Sequence, residues 1–495
     1  MPQRREQRER RRHRGSHQYY DEKRGKHTLG KVLAVIQLLI SVIFVGILFN
    51  SGMIPMKYLA TGAAVLFVLF ALTFGLQFAR SKVNLIGVIL SILISAALAF
   101  GTYYFMNMHK AISNLGGAEY KTDNMIVVVK KEDSAQSILD TENYIFGVQT
   151  AADRTNNEKM LTKLTTLIGQ EPNVKEFTTI QEEAQALLDG RIEAAIYNEA
   201  FNSLIADDIE GYEDQIRILY QYGIDTKLEK VDQSVTEPFN VYISGIDVYG
   251  PISTNSRSDV NIIATINTDT KQMLLVSTPR DYFVPLSISN GVPDKLTHAG
   301  IYGIDVSMDT LGMLYDISLD DYFRVNFAGF IKIIDALGGV DMNVEASFSD
   351  RGYSFTQGMM HMNGEEALVY ARERYAFSDG DRARGRHQME LINAVMQKIL
   401  SPEILSKYTE VLASLDGCFE TNFSYDRLAE LVRQQLTDSG SWNIVSYSVN
   451  GSGDTRQPYS MSANAYVMIP DQTTVDKAKE LMQQVVDGEV VNLNE

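Results

Sequence analysis

Cysteine is nearly absent. The single thiol in 495 residues, Cys418, excludes an intramolecular disulfide, a thiolate zinc site and an iron–sulfur cluster. Histidine is scarce too. Of seven, His13, His17 and His27 belong to a basic tail and His109 follows an apolar run, leaving His298, His361 and His387 widely spaced. Zinc-dependent hydrolysis is therefore disfavoured. Low-complexity character is also missing, since 45% apolar and 22% charged residues make an ordinary folded composition. At roughly 150 residues per domain, the length suggests about three units.

Positive charge is in deficit overall, with a formal net charge of −17, but the average hides an asymmetry. The first 28 residues carry ten Arg or Lys against four acids, a net of +6, which leaves −23 for the rest. A basic block of this kind can bind nucleic acid or mark the cytoplasmic side of a membrane. The neighbouring apolar segments favour the membrane.

Three apolar runs succeed the tail, Val32 to Phe49, Tyr58 to Ala79 and Val83 to Met106. Each is long enough to cross about 30 Å of hydrocarbon as a helix. The reading is a tail over 1–28 and three transmembrane helices within 29–106. The short flanks hold ten cations in the tail, one in residues 51–57 and two in 80–82. By the positive-inside rule the amino terminus is cytoplasmic and everything after about residue 107 is extracellular. No nucleic-acid partner is expected.

Residues 107–235 read as a small α/β accessory domain. Strands are expected at Met125 to Val129, Tyr144 to Val148, Val174 to Phe177 and Ala194 to Tyr197, with helices at Glu158 to Ile168 and Ile180 to Leu188. Their order, and the phrase ALLDGRIEAAIYN over 186–198, resemble one lobe of an extracytoplasmic solute-binding protein. A polar linker comes next. Residues 238–485 then read as one α/β/α domain with a central sheet: strands at Phe239 to Ile246, Val260 to Asn267 and Met273 to Thr278, helices at Gly303 to Tyr315, Phe327 to Leu337 and Arg386 to Leu400.

The candidate chemistry is concentrated in this last domain. Arg372, Arg374, Arg382, Arg384 and Arg386 place five guanidiniums in 15 residues. Arginine grips phosphate or carboxylate through two parallel hydrogen bonds, so the cluster asks for an anion; internal ion pairs with Glu373, Asp379 and Asp381 are the alternative. Arg372 and Arg374 follow the apolar run ALVYA, and on a strand their spacing would point both to one face. Asp247 and Asp259 close one expected strand and open the next, a placement that lets two carboxylates share a hard cation such as Mg²⁺. Arg257 lies two residues before Asp259, and Arg280 leaves a third strand end.

The motifs SGID (244–247), SRSDVNIIATIN (256–267), STPRD (277–281), KLTHA (295–299), DALGGVDMNV (335–344), LVYARER (368–374) and GDRARGRHQ (380–388) closely resemble the LytR-CpsA-Psr (LCP) family, whose members attach glycopolymers to the bacterial cell wall. The resemblance implies that Asp247 and Asp259 bind magnesium. It also implies that Arg257, Arg280, Arg372 and Arg374 contact a lipid pyrophosphate, that Gln388 lies at the phosphates and that Asp381 steadies the arginines. Arg382 and Arg386 are expected nearby, either at the phosphates or one step removed from them. Thr297 departs from the asparagine often found in KLTHA. The implied donor is a polyprenyl-pyrophosphate-linked glycan and the implied acceptor a peptidoglycan sugar hydroxyl. Asp259, Asp281 and Asp381 all remain open as the general base. Rival readings are a lipid-pyrophosphate hydrolase, a binding module without turnover, and a transcriptional attenuator using the basic tail.

Overall fold

The computed structural model describes residues 28–79, 81–115, 120–150, 153–227, 235–246, 255–377, 381–401, 418–438 and 440–493. The tail 1–27, the polar linker 228–234 and Asp247 lie outside them. Two compact units emerge, one of residues 1–113 with 428–439, the other of 114–427 with 440–495.

The first unit carries helices α1 (Thr28–Asn50), α2 (Met56–Leu76) and α3 (Ser81–Leu115), each containing a stretch long and apolar enough to cross a membrane. Their apolar side chains face outward, as Val42, Phe67 and Leu93 do, while polar groups turn inward. Gln37 Oε1 accepts from Thr73 Oγ1 at 2.9 Å and Ser91 Oγ at 2.8 Å, and Gln77 Oε1 accepts from Asn84 Nδ2 at 2.8 Å. All five residues are buried. In hydrocarbon such bonds hold helices together because the unpaired alternative is costly.

Among its described residues, the second unit holds a five-stranded and a six-stranded sheet, together with four two-stranded ribbons. The accessory sheet has the order β3-β2-β4-β1-β5, from β1 (Tyr120–Lys130), β2 (Ile145–Gln149), β3 (Asn173–Phe177), β4 (Ala194–Asn198) and β5 (Ile216–Lys227). Strands β3, β2 and β4 run parallel, and β1 pairs antiparallel with β4 and β5. Helices α4 (Arg154–Ile168) and α5 (Ile180–Leu188) supply the crossovers, followed by α6 (Asn202–Asp208).

The larger sheet contains β6 (Phe239–Ile246), β7 (Ser258–Asn267), β8 (Gln272–Thr278), β9 (Asp321–Asn326), β10 (Phe419–Thr421) and β11 (Asn443–Ser448) in the order β10-β9-β6-β7-β8-β11. The β6–β7–β8 meander is antiparallel, with β9 parallel to β6 and β11 parallel to β8. Its helices are α7 (Leu296–Tyr302), α8 (Ile304–Tyr315), α9 (Phe327–Ala336), α10 (Gly364–Arg372) and α11 (Asp381–Ile399); after α12 (Tyr425–Thr437), most of which clusters with the first unit, α13 (Gln472–Val486) completes the set. Ile263 and Val276 point to a core shared with α8 and α13, while the alternating Ile262 and Leu275 are equally buried. A sheet buried on both faces needs cover on both sides, as the expected α/β/α layering requires.

One expectation fails. The run ALVYA forms helix α10, not a strand. Asn363 caps it, accepting from Glu366 N at 3.0 Å, while Glu366 Oε2 accepts in return from Asn363 N at 2.9 Å. This capping box, with Glu365 and Glu366 in the first turn, outweighs the β preference of Val369 and Tyr370. Gly364 lets α10 cross α9 closely, since a Cβ there would stand 2.3 Å from the carbonyl oxygen of Ile331.

Candidate functional site

The topology gathers the expected residues at one end of the larger sheet. Because β6, β8 and β9 run in one direction and β7 runs back between β6 and β8, the carboxyl ends of three strands and the amino end of β7 share an edge. Asp247 follows β6, Asp259 stands at the start of β7, Arg280 follows β8 and Phe327 follows β9. Open α/β sheets place ligands at such ends.

Asp259 occupies a β-bulge. Gly245 pairs with Val260 and Ile246 with Ser258, so Asp259 is the extra residue on its strand. A bulge of this kind re-aims a side chain. The strand beneath it is pinned by a buried network in which Tyr242 Oη lies 2.8 Å from Ser258 Oγ and donates to Asn261 Oδ1 at 2.7 Å, and Ser244 Oγ lies 2.9 Å from Ser258 Oγ. Gly300 of α7 seals the other side. A Cβ there would stand 2.5 Å from Ser256 O and 2.9 Å from Ser258 N.

The register of β7 against β8 pairs Asn261 with Thr278, which brings Arg280 alongside Asp259. Arg280 Nη1 donates to Asp259 Oδ1 at 2.7 Å. Asp281 is flanked by Arg280 Nε at 3.5 Å and Lys295 Nζ at 3.3 Å. Thr297 N donates to Arg280 O at 2.8 Å, so the KLTHA segment props the arginine from behind. Thr297 itself is buried, and its hydroxyl has no hydrogen-bond partner among the described residues.

Arg372 ends α10, and its guanidinium lies 4.1 Å over the ring of Phe327. Glu373 turns inward and accepts from the backbone N–H groups of Tyr375 and Ala376. Arg374 then leaves on the following coil, with Nη2 2.6 Å from Tyr375 Oη and its guanidinium over that exposed ring. The two arginines are thus separated by a helix end and an inward carboxylate, not by alternation along a strand.

The other candidates divide. Arg257 faces the accessory domain, where Nη2 donates to Ser203 O at 3.1 Å and pairs with Asp207 Oδ2, both on α6. Arg386 forms a two-pronged pair with Glu345, at 3.0 and 3.2 Å, an internal ion pair with a partner other than the expected Glu373, Asp379 or Asp381. Gln388 is half-buried on α11 beside His387, whose buried ring sits 4.3 Å from Tyr370 and 4.7 Å from Phe377. Asp381 and Arg382 open α11, but their side chains lie outside the described part of the chain. Buried His298 bonds Asp294 at 2.8 Å and Ser460 at 2.8 Å, a structural role.

For magnesium, the described half of the expected pair is Asp259, with one oxygen engaged by Arg280 and its side chain 20% exposed. A hard, partly exposed carboxylate at a strand end suits such an ion. Asp247 follows directly on Ile246, the residue paired with Ser258. Among the described residues, no group of three or more His, Cys, Asp and Glu side chains is placed to hold a metal.

Comparison with known proteins agrees with the sequence resemblance. The LytR_cpsA_psr family matches residues 207–484. A polyisoprenyl-teichoic acid–peptidoglycan teichoic acid transferase TagU of Enterococcus faecalis is 32% identical over 263 residues, covering 52% of this chain and 84% of that protein. The TagU of Bacillus cereus is 33% identical over 204 residues, covering 41% of this chain and 66% of that one. The crystal structure of Bacillus subtilis TagV aligns at 29% identity over 52% of this chain and 99% of that one, with a TM-score of 0.44.

Proposed function

The chain belongs to the LytR_cpsA_psr family, and on that premise we propose that it is a membrane-anchored phosphotransferase that moves a teichoic acid or similar wall glycopolymer from polyprenyl pyrophosphate to a peptidoglycan sugar hydroxyl. The observation that carries this reading is the convergence of Asp259, Arg280 and the Arg372–Phe327 contact on one sheet edge. The three apolar helices hold the chain at the membrane, where a lipid donor resides. The charge bias of the short flanks supports an arrangement with the tail inside and both sheets outside, beside the wall.

In the transfer, the acceptor hydroxyl oxygen attacks the sugar-side phosphorus. The bond from that phosphorus to the bridging oxygen breaks, and polyprenyl monophosphate leaves. Phosphoryl transfer asks the protein mainly for position and charge. Arg280 and Arg372 take charge on the non-bridging and departing oxygens, and Arg374 closes from the coil. Arg257 joins by exchanging Asp207 for phosphate. Gln388 donates to a phosphate oxygen, Asp381 steadies the arginines and Arg382 adds positive charge beside the phosphates. The hydroxyl proton passes to a carboxylate, with Asp259, Asp281 and Asp381 as the candidates. Mg²⁺ held by Asp247 and Asp259 would add neutralising charge at the pyrophosphate.

The test uses the full chain in detergent with a polyprenyl-pyrophosphate glycan, peptidoglycan oligomers and Mg²⁺. Mass spectrometry should find a phosphodiester-linked conjugate, absent with Asp259→Ala and reduced by chelation. Lipid monophosphate appearing without a conjugate would support the hydrolase reading instead.

A further inference from the structure

Arg257 immediately precedes β7 of the larger sheet, yet its guanidinium is taken up by the accessory domain. Nη2 donates to the carbonyl oxygen of Ser203 at 3.1 Å and to Asp207 Oδ2, both on α6. Nη2 carries two hydrogens, so these two acceptors use both. Nε is buried and has no hydrogen-bond partner among the described residues. A guanidinium grips phosphate with two prongs in either of two ways, through Nη1 with Nη2 or through Nε with Nη2. Each way needs a hydrogen on Nη2. While α6 holds both, Arg257 meets phosphate only through single bonds.

Helix α6 is not free to follow the arginine. Asp208 Oδ2, next along from Asp207, accepts from Ser462 N of the larger domain at 2.9 Å. On α5, Gln181 Nε2 donates to Ser460 O at 2.8 Å in a buried contact. Phe201, at the start of α6, sets its ring 5.5 Å from that of Tyr302 at the end of α7, and Ile301 of α7 is buried in one core with Leu204 and Ile205 of α6. The helix is thus anchored on the larger domain by contacts that do not involve Arg257. The Arg257 and Asp207 side chains are themselves 25% and 34% exposed, so an anion from solution can reach the pair and compete for the guanidinium.

We propose that α6 is an autoinhibitory latch on the site of transfer: Asp207 occupies Arg257 in the place of a donor phosphate, and the arginine grips the pyrophosphate with two prongs only when α6 lets it go. The latch rests on the transferase reading above, in which Arg257 contacts the pyrophosphate. The docked accessory domain lowers the affinity for donor, and movement of α6 away from Ser460 and Ser462 raises it.

The test titrates the full chain in detergent with geranyl pyrophosphate and Mg²⁺ at pH 7.5, followed by calorimetry. Asp207→Asn should bind this probe about 2- to 5-fold tighter than the unaltered chain, because the anion no longer competes with a resident carboxylate. Asp207→Ala should do the same, whereas mere damage to the interface would not raise affinity. Arg257→Gln should bind more weakly, and adding Asp207→Asn to it should bring no further gain. A gain that persists in the double variant would mark a general loss of negative charge near the ligand and overturn the latch. Unchanged or weaker binding by both Asp207 variants would overturn it as well. If Arg257→Gln is still weakened in that case, Arg257 keeps its place at the phosphates and the latch alone falls; if Arg257→Gln binds as the unaltered chain does, Arg257 leaves the phosphate site too.

Discussion

The second unit carries two strand-end edges built on one plan and lined by different residues. In both, the residues gather at the carboxyl ends of parallel strands, β2 and β4 in one and β6, β8 and β9 in the other. The larger sheet sets Arg280 and Arg372 at its edge, with Asp259 and Asp281 both against Arg280. The accessory sheet sets Asp123 and Asp153 at its edge, hydrogen-bonded by amides and with Lys121 and Arg154 beside them. Strand topology fixes where side chains meet, and the residues placed at the strand ends choose the chemistry. The stretch Asn255–Ser256–Arg257 meets the accessory domain twice, Asn255 donating to Asp123 and Arg257 to Ser203 O on α6.

The largest effect is expected at the edge of the larger sheet. Arg372→Ala should lower the rate of conjugate formation on the order of 10²-fold, the usual cost of losing a charge-stabilising donor, with the melting temperature nearly unchanged. Next comes the scaffold beneath it. Gly300→Val would push a side chain into the backbone of Ser256 and Ser258, and denaturant unfolding should show a loss of about 1–3 kcal/mol together with weakened activity.

The accessory edge should respond with the reverse sign. Burial, and then the charge of Asp123, push the Asp153 carboxyl up to about 6 in the folded state. Such a group favours folding when protonated, and that contribution is lost as pH rises through the folded value. Asp153→Asn should therefore stabilise the protein at pH 7.5 by on the order of 2 kcal/mol and do little near pH 4, as paired thermal melts would show. The smallest effect separates true members of the arginine cluster from neighbours. Arg386→Gln, which breaks a half-exposed pair with Glu345, should cost less than about 1 kcal/mol and leave the transfer rate within a few-fold.

Much of this was legible in the sequence where local pattern decides. The alternation of FNVYISGI marks β6, and STPRD correctly sets Arg280 at a strand end. The run ALVYA misleads because five apolar residues suit either period, although the cap Asn363 and Glu366 just upstream carried the helical signal. The bulge at Asp259, the Phe327 platform and the Tyr242–Ser258 network depend on register and cross-strand neighbours, which no single segment announces. The acid pair is further from view. Asp123 and Asp153 belong to different segments, and the pairing of β1 and of β2 with β4 sets the Asn198 amide and both carboxylates at one edge.

The most direct test of the larger sheet's edge is a single-turnover comparison of phosphodiester formation by the full chain and by Arg372→Ala, at matched donor, peptidoglycan and Mg²⁺. A loss on the order of 10²-fold in the chemical step, with donor binding largely kept, is the predicted result. An unchanged rate in a folded variant would contradict the assignment of this sheet edge as the site of transfer.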